Sequence, residues 1–194
     1  MRKIELLYRE ILYGVLEQKN SRFTQLALAQ KLHLSLSTVH HALKPLKQMG
    51  AVEIRLKNFL VLDAEKILLY WASIRNITRD IVYQTRVEKP AKIIESEMPA
   101  TITWGAYSAY KYRWKEVPAD YSEIYVYGDG EEIRSRFPPS AGRANLFILE
   151  KDEFMEEYGN CTTFANTFVD LWNLPEWYAK EFLLALKKRI MERL

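Results

Sequence analysis

The sequence predicts an α+β chain: an N-terminal three-helix module closed by a β-hairpin, then a small α/β domain that finishes in helices. Three observations predict it. Apolar residues over positions 1–49 recur with the period of amphipathic helices, punctuated by Ser, Thr and Gly where caps belong. Two short β-rich runs about a polar pair follow at 51–62. Beyond residue 90, strand-like runs such as Glu123–Tyr127 and Ala144–Leu149 alternate with helical stretches. The boundaries fall at 1–63 for the first module, 64–90 for a connector of helix and strand, and 91–194 for the α+β domain.

Each element of the first module has a local reason. Ile4, Leu7, Tyr8, Ile11, Leu12, Val15 and Leu16 make one apolar stripe on a helix that ends near Lys19-Asn20-Ser21. Thr24 caps a short second helix, Gln25–Lys31, expected to bury Leu26 and Ala29. After Leu32-His33-Leu34, Ser35 caps a third helix running to about Met49, with Gly50 placed to end it. Pro45 should remove the bond to the His41 carbonyl and bend that helix. Ala51–Leu56 and Phe59–Leu62 then form a hairpin about Lys57-Asn58, with Arg55 and Lys57 at or near its tip.

On the third helix Val39, Leu43 and Leu46 share one side, while Ser37, His41, Lys44 and Gln48 point the other way, flanked by Thr38 and His40. Short polar side chains near its start allow close approach to base edges, and Lys44 can reach phosphate. Charge agrees. Residues 1–63 hold ten Lys/Arg against five Asp/Glu, net +5, and residues 64–194 hold eighteen against twenty, net −2. Helix, helix, helix, basic hairpin is the order of a winged helix, whose third helix lies in the major groove. The expected contacts to double-stranded DNA are therefore Ser37, Thr38, His40, His41 and Lys44 on the helix, with Arg55 and Lys57 on the hairpin. The competing reading is a module that contacts protein only; the polar stripe and basic hairpin argue against it. His40 and His41, being adjacent, diverge by about 100° and make no helical metal pair.

The run Leu26-Ala27-Leu28-Ala29-Gln30-Lys31-Leu32-His33-Leu34-Ser35-Leu36-Ser37-Thr38-Val39-His40-His41-Ala42-Leu43 resembles the helix-turn-helix of prokaryotic winged-helix transcriptional regulators. It departs from their pattern at Leu28, where a polar residue is usual, and at Pro45. The resemblance covers residues 1–63 and implies sequence-specific DNA binding.

The rest of the chain is read more coarsely. Ala64–Arg75 is helical, Asp80–Val87 a strand, and Ala91–Glu97 a short helix closed by Met98-Pro99. Trp104–Trp114 reads as a helix with Trp104, Tyr107 and Ser108 on one side, and Gly128-Asp129-Gly130 as a turn. The aromatics of 101–127 either line a ligand or nucleobase pocket or pack as core, and the core reading is preferred. Two helices close the chain, Thr163–Trp172 and Glu176–Leu194. On the second, Phe182, Leu186, Ile190 and Leu194 form either a dimer seam or an internal face.

Trp104-Gly105-Ala106-Tyr107-Ser108-Ala109-Tyr110, Ala119–Tyr127 and Phe168–Trp172 resemble the C-terminal, nucleotidyltransferase-like domain of AbiEi-type antitoxins. That resemblance implies autorepression and a toxin partner encoded nearby. A working nucleotidyltransferase needs clustered carboxylates to hold Mg²⁺. Here Ala106 follows Gly105, and Glu123-Ile124-Tyr125 offers one carboxylate with tyrosine in the second place, so that chemistry is expected to be lost; a divergent nucleotidyltransferase directed by the winged helix is the alternative. Cys161, the only cysteine, excludes an internal disulfide and suggests no activation as a nucleophile. No catalytic residue, metal or cofactor is expected. The charged start and the lack of a long apolar run predict a cytoplasmic protein without a membrane span, and the short recognition helix suggests a homodimer on palindromic sites.

Overall fold

The computed structural model describes all 194 residues, Met1–Leu194, and no helix in it is long and apolar enough to cross a membrane. The chain forms two compact units: Met1–Arg75 together with Arg189–Leu194, and Asn76–Lys188. The stretch 64–90 thus gives its helix to the first unit and its strand to the second.

In the first unit, α1 (Lys3–Gln18), α2 (Gln25–Lys31), α3 (Leu36–Gln48) and α4 (Ala64–Ile74) surround a core of Leu7, Ile11, Leu12, Val39, Leu46, Ile67 and Trp71. Polar contacts fix how these helices meet. The Tyr8 hydroxyl donates to the Ala42 carbonyl at 2.9 Å, joining α1 to α3, and Lys31 pairs with Glu10 at 2.8 Å, joining α2 to α1. Glu5 is buried on α1 and accepts from Trp71 Nε1 at 3.2 Å and from Arg75 at 3.3 Å. Three strands, β1 (Arg22–Phe23), β2 (Val52–Ile54) and β3 (Phe59–Val61), form an antiparallel sheet in the order β1-β3-β2. Strand β1 lies where the sequence suggested only a turn running into the α2 cap. Phe23 sits opposite Phe59, the rings stacked with centroids 5.6 Å apart. A Cβ on Gly14 would come within 2.6 Å of the Phe23 ring, so this close approach requires glycine.

The expected face of α2 is corrected. Leu26 is 55% exposed, and the buried pair is Leu28 with Ala29. Leu32, four residues after Leu28 and also buried, selects this face over the Leu26 side. The position where regulators usually carry a polar residue is therefore core here.

In the second unit, β4 (Ile81–Thr85), β5 (Thr103–Trp104), β6 (Ile124–Gly128) and β7 (Leu146–Glu150) form a mixed sheet ordered β4-β7-β6-β5; only the central β6–β7 pair is parallel. Ile124, Val126, Leu146 and Ile148 face a core shared with Ile94 of α5 (Ala91–Ser96) and Ile133 of α7 (Gly130–Arg136). The alternate residues Tyr125, Tyr127 and Phe147 face the other way. Tyr107 of α6 (Ala106–Trp114) meets Tyr125 edge-on, and the buried Asp170 of α8 (Phe164–Trp172) accepts from Tyr127 at 2.7 Å. Trp104 belongs to a strand, not to α6. Asp129 is not in a free turn: its side chain accepts from the Glu131 amide and caps α7, a helix the two flanking glycines concealed. The last helix, α9, spans Ala179–Met191, starting later than expected; Phe182, Leu186 and Ile190 on it are buried within the chain and unavailable as a dimer seam, while Leu194 is exposed.

Candidate nucleic-acid interface

The third helix is set by chemistry at both ends. Ser35 accepts from the Thr38 amide at 3.0 Å, and the two hydroxyls lie 2.9 Å apart. At the other end Gly50, at φ +71°, bonds back to Lys47, and Ala51 bonds to Leu46, the paired bonds of a Schellman stop. Between them α3 continues through Pro45 without a break. Val39, Ala42, Leu43 and Leu46 are buried, leaving Ser37, His40, His41, Lys44, Lys47 and Gln48 exposed. Thr38 is half-buried and held against the cap.

The hairpin turns differently from the expected two-residue link. Ile54 pairs with Phe59, so Arg55-Leu56-Lys57-Asn58 form a four-residue tip closed by the Arg55 amide donating to the Asn58 carbonyl at 2.8 Å. Leu56, read from sequence as strand, stands 98% exposed on that tip between two cations. Arg55 is paired with Glu53 at 2.8 Å; this hydrogen bond lowers the Glu53 carboxyl below its ordinary range and raises the Arg55 guanidinium. Lys57 is exposed.

Tip and helix face one another across an open cleft of about 500 Å³. Ser37 and His40 line it from α3, with Arg55 and Lys57 opposite. His41 and Lys44 extend the same helix beyond the cleft. Sequence reasoning missed the apolar part: Leu26, Leu36 and Leu56 also line the cleft, 55%, 52% and 98% exposed. For Leu56, a tip of four residues rather than two was the signal to find.

Residues 18–53 match the model of the winged helix-turn-helix DNA-binding family. The first unit carries a winged helix-turn-helix. No curated protein and no solved structure matches the chain.

Elsewhere, Glu123 is buried beside Ser122, whose hydroxyl donates to it at 3.0 Å, and the Tyr125 hydroxyl donates to Glu176 at 3.3 Å. No group of three His, Cys, Asp or Glu side chains is arranged to hold a metal ion. Cys161 is buried, and that burial pushes its thiol up.

Proposed function

We propose that this chain is a DNA-binding transcriptional regulator whose α3 enters the major groove while the hairpin tip follows the adjacent backbone. One observation carries the reading: Ser37 and His40 on α3 share one open cleft with Arg55 and Lys57, within a unit matched by a winged helix-turn-helix model. Ser37, Thr38, His40 and His41 supply short or planar polar groups toward base edges, and Lys44, Arg55 and Lys57 supply phosphate contacts. Since one short recognition helix reads few base pairs, the chain acts as a homodimer on paired half-sites. The test is binding to fragments of its own promoter, measured across a salt series. Lys57→Ala and Lys44→Ala should each weaken binding and flatten the logarithmic salt slope by about one unit. Binding indifferent to salt and to both substitutions would overturn the reading.

A further inference from the structure

A second cavity, of about 350 Å³, opens in the Asn76–Lys188 unit, within the size range of small-ligand sites. Its floor is one row of the sheet. Gln84 of β4 stands opposite Phe147 of β7, which stands opposite Tyr125 of β6. The Tyr125 and Phe147 rings stack face against face, 7° between planes with centroids 4.5 Å apart, and give the cavity an aromatic lining. Above it the segment entering α9 brings Glu176, fixed from below by two phenols: Tyr107 donates to it at 3.0 Å and Tyr125 at 3.3 Å. Arg143 also lines the cavity, exposed and without an ion pair. Burial, then Glu176 and Glu123, push the Tyr125 phenol up, while Arg143 pulls it the other way.

One cavity therefore holds an immobilised carboxylate, an unpaired guanidinium and a stacked aromatic pair. We propose that it binds a free α-amino acid with a large apolar side chain, the side chain lying on Phe147, the carboxylate on Arg143 and the ammonium on Glu176. Adjacent opposite charges on one small body match this site. A nucleotide matches it less well, since its phosphate would meet Glu176. A guanidinium takes a carboxylate in bidentate fashion, and a carboxylate already held by two hydroxyls loses little freedom on accepting an ammonium.

Calorimetric titration of the full chain tests this with phenylalanine and leucine, their single-charge relatives 3-phenylpropionate and 2-phenylethylamine, and adenosine monophosphate. Phenylalanine should give saturable binding, and each single-charge relative should bind about tenfold more weakly or worse. Arg143→Ala should reduce phenylalanine to the level of 2-phenylethylamine, and Glu176→Gln, which keeps an acceptor for one of the two phenols, to that of 3-phenylpropionate. Three results would overturn the proposal: no saturable binding of either amino acid up to about 10 mM, equal binding of the single-charge relatives, or binding of the nucleotide alone. Arg143 is a surface residue, so its variant decides the matter even if Glu176→Gln misfolds.

Discussion

Arg55 is the residue whose state in the free protein bears most on the interface. Its pairing with Glu53 at 2.8 Å is exposed on both sides and contributes little to stability, yet under the proposed function it would compete with phosphate for the same guanidinium. Glu53→Gln should therefore tighten DNA binding and steepen its salt dependence, leaving the melting temperature within a degree or two of the parent. Buried Glu5 is the opposite case. Glu5→Ala would remove the carboxylate to which the buried Arg75 guanidinium and Trp71 Nε1 both donate, at a cost of about 1.5–3 kcal/mol in chemical denaturation. Leu56→Ala, at a side chain that packs on nothing, should change stability by less than about 0.5 kcal/mol. At this scale the sequence reveals the caps Thr24 and Ser35, each of which acts on an amide three residues on. It reveals pairings such as Glu5–Arg75 poorly, since the partners lie seventy positions apart.

Elements were legible in proportion to their length. The sixteen residues of α1 carry enough periods to betray a buried face, whereas β1 and β5, two residues each, carry none. Short helices mislead for a related reason: α2 has two apolar faces, and contacts from outside the segment decide between them. The polar stripe on α3 was readable because its buried seam is unambiguous, but the apolar lining of the cleft was not, because it depends on how far the hairpin tip reaches. The end of α3 offers a clean test of backbone geometry. A Cβ at Gly50 would meet nothing within 4 Å, so Gly50→Ala isolates the left-handed conformation itself and should cost about 1–2 kcal/mol by denaturant titration.

Across the whole molecule four largely buried tyrosines tie stability to alkaline pH. Burial raises Tyr8, Tyr107, Tyr121 and Tyr125 well above the ordinary phenol range, with Glu176 adding to the effect at Tyr107 and Tyr125, and Glu95 at Tyr121. The unfolded chain loses those protons above about pH 10 while the folded one keeps them. Their contribution to stability is thus complete below that pH and declines as pH rises beyond it. Absorbance at 295 nm should show the exposed phenols ionising first and the buried ones only as the fold is lost. Another whole-molecule property follows from the composition of the first unit, to which Arg189–Leu194 returns after the chain has built the second. Arg193 there donates to the Leu16 carbonyl at 3.5 Å, and Met191 and Leu194 line a groove with Val15 and Val61. In architectural terms Asn76–Lys188 is an insertion, and the winged-helix unit is stitched together from two segments far apart in sequence. Cutting after Arg75 is consequently not a neutral excision: such a fragment should melt below a graft that rejoins Arg189–Leu194 through a flexible tether.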